Sequence, residues 1–404
     1  MPAGQHDASA SAIGYLYQVN WCLVELLQRA PDRPDQAISL ETHDDVAWEE
    51  SGSPTELLQT KHHVGAAMGL GDKHADIWKT LLVWMNTAQP TDPQGPALIL
   101  VTTSVAPAGT AAHALRRDTR NTQAAVIKLA DAARTSISES TEKARKRFLA
   151  LTEAEQQTLL GRVTVVDGAL GIDDLDQKLA KILWAAMPHA NQELFLAMVW
   201  RWWSGVALDM LRGRRQMVGA GEAQAAISHL RDQFSDDNLP TTVELSDVDE
   251  NHIIAMHGED VFVHQMRWVA CNEVNLRKAI VDYYRAVTQA TKWITEDLIG
   301  LHELEKFEDN LRDEWDRAFA DMIEDLSLDA DEDAKIAAGK ALLRRLRDST
   351  AVNVRPRYND AFFARGRRHV LADHRDIGWH PDFQSRLEEL LSVPAALPGA
   401  PEGP

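Results

Sequence analysis

Glu41, Asp44, Asp45, Gln59 and Lys61 fall within one short stretch, ETHDDVAWEESGSPTELLQTK. Together these side-chain types could hydrolyse a phosphodiester. Carboxylates, with a carboxamide oxygen to complete the set, hold hard divalent cations such as Mg²⁺, which take oxygen ligands. A cation so held polarises the phosphate and lowers the pKa of a bound water, giving a nucleophile near neutral pH. A lysine beside it can orient that water and offset the charge growing on the phosphoryl oxygens. Spacing alone leaves a plainer alternative open. Acidic clusters and Q-x-K triplets are common, and a surface hairpin with an acidic turn would read the same way.

Three short strands must position these groups. Residues 37–40 read as a strand ending at Glu41, 46–48 as a second, and 57–61 as a third. Between the last two, Glu50-Ser51-Gly52-Ser53-Pro54 carries turn-forming residues, so a hairpin is expected. Side chains alternate between the faces of a strand. Leu57, Gln59 and Lys61 therefore share one face, and Leu58 and Thr60 the other. A neighbouring strand can bring Asp45 beside Gln59. Upstream, Ile13, Leu16, Tyr17, Val24 and Leu27 recur near a 3.6-residue period, marking an amphipathic helix over 11–29. Gln18 flanks that stripe, either as a support for the site or as a helix-surface glutamine.

Three pieces in this order carry a resemblance: Gly14-Tyr15-Leu16-Tyr17-Gln18, then Glu41-Thr42-His43-Asp44-Asp45, then Gln59-Thr60-Lys61. The stretch resembles the restriction-endonuclease-like PD-(D/E)xK superfamily. More narrowly, it resembles the double-stranded DNA nuclease domain of bacterial anti-phage effectors, including those of cyclic-oligonucleotide (CBASS) systems. Gln59 stands where the wider superfamily more often has Glu or Asp, a variant that this branch commonly carries. The resemblance implies Asp45 as the main metal ligand, Gln59 as the second, Glu41 and Asp44 as supporting acids, and Lys61 as the water-orienting catalytic residue. The implied cofactor is Mg²⁺, with Mn²⁺ as a substitute.

With 404 residues, the chain is long enough for two cores. Hydrophobic content of 45% and charged content of 25% are ordinary for a globular protein. Cys22 and Cys271 lie far apart, which supports neither a disulfide framework nor a zinc knuckle. The N-terminal MPAGQHDASASAIG lacks a basic region followed by an apolar one, so no signal peptide is read and a cytoplasmic protein is expected. The apolar run 194–211 is broken by Arg201 and Asp209 and reads as a buried helix, not a membrane span. A net charge of −19 argues against a nucleic-acid coat protein. It leaves room for a nuclease whose DNA affinity is low until it assembles with a partner.

Further along, 73–87 reads as a helix and 98–101 as a central strand covered on both faces. Thr102-Thr103-Ser104 reads as a local cap rather than a substrate contact. Residues 111–160 read as mostly helical, with two basic groups: Arg116, Arg117 and Arg120, then Lys143, Arg145, Lys146 and Arg147. Such groups are candidate phosphate contacts, although a solvated helix face is the commoner explanation. A strand over 162–167 and a helix over 173–184 complete an α/β domain with a mixed sheet, assigned to 1–185.

The remainder, 186–392, reads as a helical partner-binding or regulatory domain. Phe195, Met198, Val199, Trp202 and Leu208 are expected deep in one helix, 234–250 as an acidic connector, and 266–299, 302–326 and 334–348 as long helices. The Pro-, Gly- and Ala-rich tail 393–404 is expected to be disordered. Asp282-Tyr283-Tyr284-Arg285-Ala286 with Lys292-Trp293, Leu311-Arg312-Asp313-Glu314-Trp315, and Gly378-Trp379-His380-Pro381-Asp382-Phe383 carry a second resemblance, over roughly 240–390. They resemble the C-terminal region of effectors in ABC-ATPase three-component defence systems, of which Lamassu is an example. That resemblance implies an SMC-like ATPase and a small third subunit as partners. It also implies double-stranded DNA as substrate and a homo-oligomer as the active form. His374, Asp376 and His380 are read as structural residues. No Walker-type G-x-x-x-x-G-K-[ST] occurs, so the chain is not itself the ATPase. Two alternatives stand beside the endonuclease effector: an inactive structural adaptor, and a nuclease gated by a cyclic oligonucleotide. The helical half offers the latter no evident phosphate cradle.

Overall fold

The computed structural model describes residues 4–63, 69–87 and 91–392; the tail expected to be disordered, 393–404, lies outside them. Two compact units divide the chain, Met1–Arg231 and Asp232–Pro404.

The first unit begins with α1 (Gly4–Arg29), β1 (Ala37–Leu40), β2 (Val46–Glu50), β3 (Ser53–Lys61), α2 (Ala75–Thr87) and β4 (Ala97–Thr102). It continues with α3 (Ala111–Ala114), α4 (Thr122–Thr135), α5 (Glu142–Leu149), α6 (Glu153–Arg162) and β5 (Val163–Val166). Last come α7 (Leu175–Ile182), α8 (Gln192–Leu211), β6 (Val218–Gly219) and α9 (Ala220–Asp232). The six strands form one sheet in the order β5-β4-β3-β2-β1-β6. It is mixed, because β3, β4 and β5 run parallel while β1 pairs antiparallel with β2 and β6, and β2 with β3.

Ser51 and Gly52 both adopt positive φ, 52° and 79°. A two-residue turn of that hand matches the strand twist and fixes the β2–β3 register. A β-bulge between Trp48 and Glu49 then shifts that register by one residue, so that Val46 lies opposite Leu58, which sets Asp45 near Gln59. Leu57, Ala47, Leu98 and Leu100 share one core with Trp78 and Trp84 of α2 and Phe148 of α5. The opposite face is covered by α1 and α8, both in contact with β1. Arg29 ties α1 to β3 through Glu56 at 2.7 and 2.9 Å. Burial works against that charge, but the Glu56 and Glu25 carboxylates outweigh it and hold the guanidinium firmly protonated.

The boundary expected at 185 falls instead at Arg231, because β6 adds a strand to β1 and α8 packs on α1 and β1. A two-residue strand has too few residues to show alternation, so the sequence carried no sign of it. Helix α8 is also less buried than its composition suggested. Phe195 and Val199 are fully buried, but Met198 and Trp202 are half-buried and Leu208 is 44% exposed. Among the described residues it is the one helix long and apolar enough to cross a membrane. Its buried stripe, which includes Trp203 with its indole N–H on the Val19 carbonyl at 2.7 Å, serves the first unit's core.

The second unit is helical: α10 (Glu250–His257), α11 (Val261–Trp268), α12 (Glu273–Thr295), α13 (Leu301–Asp325), α14 (Glu332–Arg347), α15 (Ala361–Asp373) and α16 (Phe383–Ser392). The helix expected over 266–299 is two helices, since Asn272 starts α12 by accepting from the Asn275 backbone N–H at 2.9 Å. The acidic connector 234–250 is tied into the unit. Leu239 and Val243 are buried, Gln289 accepts from the Thr242 and Val243 backbone N–H groups, and Trp293 donates to the Pro240 carbonyl at 2.7 Å. Helices α12 and α15 meet at Gly366, where a Cβ would stand 2.1 Å from the Asp282 carbonyl oxygen.

Candidate active site

The acidic turn 41–45 joins β1 to β2 beside the last residues of β3. Glu41 closes it in the left-handed region, φ 55°, with its N–H on the Asp45 carbonyl at 3.1 Å. That conformation costs a non-glycine residue about 1 kcal/mol, and such outliers cluster at functional sites. Gln18 of α1 stabilises the turn, its amide donating to Glu41 Oε1 at 2.7 Å and to the Asp45 carbonyl at 3.0 Å. Gln18 is therefore not a helix-surface residue: it is 6% exposed and holds this turn.

Gln59 lies between the two aspartates. Its Nε2 donates to Asp45 Oδ1 at 2.7 Å and to Asp44 Oδ1, and its Oε1 accepts from Lys61 Nζ at 3.1 Å. Asp45 Oδ2 accepts from the Thr60 backbone N–H at 2.9 Å and from its hydroxyl at 3.3 Å. Asp45, Gln59 and Lys61 thus form one contiguous polar row, with Glu41 reached through Gln18.

Asp44 differs from its neighbour. It is buried, and its Oδ2 accepts from the Trp84 indole N–H at 2.7 Å. Burial pushes its carboxyl up to about 6, and the charge of Asp45 adds to the rise, although hydrogen bonds from Trp84 and Gln59 pull the other way. Asp45 is only half-buried. Asp44 therefore looks inward to α2, and Asp45 stands at the accessible side of the row. Neither Trp84 nor Thr60 was singled out as a site residue from sequence. An indole N–H gives no hint in the sequence of its partner, which for Trp84 lies 40 positions away.

The two basic groups divide by role. Arg120 donates to the carbonyls of Val163 at 2.8 Å and Leu160 at 3.2 Å. Arg145 is buried and donates to the carbonyls of Ala133, Ser136 and Ser138. Arg147 reaches the Met85 carbonyl. Arg116 pairs with Asp118 at 3.1 Å and Asp167 at 3.6 Å, and Lys146 with Glu142 at 2.6 Å. Arg117 and Lys143 are exposed, with no side-chain hydrogen bond or salt bridge among the described residues. Thr102 caps locally, accepting from the Ser104 backbone N–H at 3.1 Å, whereas Thr103 accepts from that of His63, 40 residues earlier, at 3.0 Å.

Beyond Lys61, His63 Nε2 lies 2.5 Å from Asp76 Oδ2, and His74 Nδ1 lies 3.7 Å from the same oxygen. These ligand atoms fall within 4.8 Å of one another and could hold a metal ion. A His-rich set suits a softer cation than the all-oxygen row does. Glu332, His380 and Asp382 form another such group in the second unit. There Arg386 pairs with Glu332 and Lys335 with Asp382 at 2.7 Å, so cations of the protein already balance the carboxylates.

Of the motif residues of the second unit, Trp293, Leu311, Trp315, Trp379 and Phe383 are buried in its core, and others pack against it. Tyr283 stacks on Phe262 with centroids 4.7 Å apart, Arg285 lies 3.7 Å over the Phe362 ring, and Trp315 donates to the Gly378 carbonyl at 2.7 Å. Residues 262–387 match the family of C-terminal domain 7 of the ABC-three component (ABC-3C) systems. The match supports membership of such an anti-phage defence system and lies wholly within the second unit. No curated protein matches the chain.

Proposed function

We propose that the first unit is a Mg²⁺-dependent double-stranded DNA endonuclease of the restriction-endonuclease-like kind, acting as the effector of an ABC-three component complex. The observation that carries this reading is the contiguous row of Asp45, Gln59 and Lys61 at the end of β3. The donor set fits the cation: the carboxylates of Asp45 and Glu41 and the carboxamide oxygen of Gln59 are all hard oxygens, the ligands Mg²⁺ takes. When bound, the cation supplies Lewis acidity and an acidified water. Lys61 then holds positive charge where a phosphoryl oxygen gains negative charge. Asp44 acts as a positioning residue, gripping Gln59 from the buried side, and Gln18 fixes Glu41.

The net charge of −19 opposes unaided DNA binding. That favours an effector whose second unit docks on an ATPase and a small third subunit, and which becomes active on release, as a homo-oligomer. Plasmid cleavage by the purified chain, with Mg²⁺ or EDTA, tests the catalytic assignment. Metal-dependent cutting that disappears in Lys61→Ala and Asp45→Asn is expected. Undiminished cutting by both variants would refute the assignment. Absence of cutting by the wild type, alone and with its partner subunits, would leave the adaptor reading in its place.

A further inference from the structure

A cavity of about 650 Å³ lies within the second unit, walled by α11, α12, α14 and α15. Its lining, among the described residues, holds eight lysines and arginines against three carboxylates. This inverts the balance of the chain, which has 61 acidic residues and 42 basic ones. Some of this charge is matched: Arg365 meets Asp282 at 2.6 Å, Arg347 meets Asp348 at 2.7 Å, and one end of Arg368 meets Glu314. The side chains of Lys278 and Arg344 make no hydrogen bond or salt bridge among the described residues, and both are exposed.

The buried groups are more telling. Arg368 is 2% exposed, yet among the described residues its Nε and Nη1 have no hydrogen-bond partner, nor do Nε1 of Trp379 and Nδ1 of His369. All three residues line the cavity. An unmet buried donor is costly, and each such group in a folded protein calls for an explanation. His369 does not add a second charge, because burial, with Arg368 and Arg365 beside it, pushes its imidazole down to about 3. The lining therefore includes a cationic and a neutral donor, on Arg368 and Trp379, that lack acceptors among the described residues.

We propose that this cavity binds a small phosphorylated ligand of nucleotide size, carrying two or more phosphate groups. Guanidinium N–H groups make strong charge-assisted hydrogen bonds to phosphate oxygens, and Arg368 has Nε–H and Nη1–H unpaired among the described residues. Met266, Leu343 and Trp379 give an apolar wall against which a base can lie. The volume falls in the range of small-molecule sites, about 300–1,000 Å³, and is too small for a duplex. No contiguous motif announces the site, because its cations come from α12, α14 and α15, far apart in the chain.

Calorimetric titration of the full-length protein with ATP tests the proposal, at low ionic strength and in EDTA, so that no metal bridges phosphate to the first unit. One ATP per chain is expected, weakening as salt rises, with no heat from adenosine. The double variant Lys278→Ala, Arg344→Ala removes two exposed cations that hold nothing in the fold. It should melt like the wild type and bind at least about tenfold more weakly, since hydrogen bonds to charged groups are the strong ones. Tighter binding of a cyclic dinucleotide or pyrophosphate than of ATP would support the phosphate assignment and identify its source. No heat with any of the three would overturn it. So would equal binding by the double variant, or tighter binding of a polyglutamate peptide than of any phosphate.

Discussion

Trp84→Phe isolates the link between the core of the first unit and its acidic row. Phenylalanine keeps most of the apolar packing of a side chain that is 1% exposed, but removes the N–H that Asp44 Oδ2 accepts at 2.7 Å. A hydrogen bond to a charged group contributes about 1.5–3 kcal/mol, and to a neutral one about 0.5–1.5. Asp44 has its carboxyl pushed up from 3.8 to about 6 by burial. Because the folded value lies above the unfolded one, the stability this carboxyl contributes is fully present below about pH 4. It is lost as pH rises through 6. Removing the indole donor destabilises the ionised form further, raises the folded value again and extends that loss to higher pH. The variant should therefore lose about 3 kcal/mol at pH 8 but only about 1 kcal/mol at pH 5, beside a pH-independent term for the smaller ring. Urea unfolding in EDTA, followed by far-UV circular dichroism, measures both. A loss that is equal at the two pH values, or larger at pH 5, would refute the account of Asp44.

Gly366→Ala should destabilise the second unit by about 3 kcal/mol or more, because its Cβ would lie 2.1 Å from the Asp282 carbonyl oxygen and 2.5 Å from Ala286 Cβ. A melting transition unchanged by calorimetry would show that α12 and α15 are not so close. Arg145→Met should cost about 3 kcal/mol through the unmet carbonyls of Ala133, Ser136 and Ser138, without altering the salt dependence of DNA binding. A reduced salt slope in a filter-binding assay would instead place Arg145 on phosphate. Gln18→Leu unties Glu41 while keeping the helix, and should raise the Mg²⁺ concentration needed for cleavage several-fold with little change in melting temperature. An unchanged Mg²⁺ requirement would remove Glu41 from the ligand set.

Much of this protein is local and so was legible in its residues. Alternation along 57–61 determined that Gln59 and Lys61 share a face, and Ser51-Gly52 supplied the positive φ that the hairpin needs. The mixed sheet followed from the order of strands and helices, because short connections leave few topologies. What the residues could not show depends on distance along the chain. Which aspartate faces inward was decided by Trp84, whose N–H reaches Asp44 and leaves Asp45 at the accessible side. The fates of Arg120 and Arg145 were decided by backbone carbonyls at helix ends, which carry no residue-specific signal. The extent of the first unit was decided by β6, a strand too short for any period to register. The basic cavity exists only because α12, α14 and α15 converge. Periodicity records which face of an element is buried, but the partner of a polar group is set by packing between elements, and that is written only in the tertiary structure.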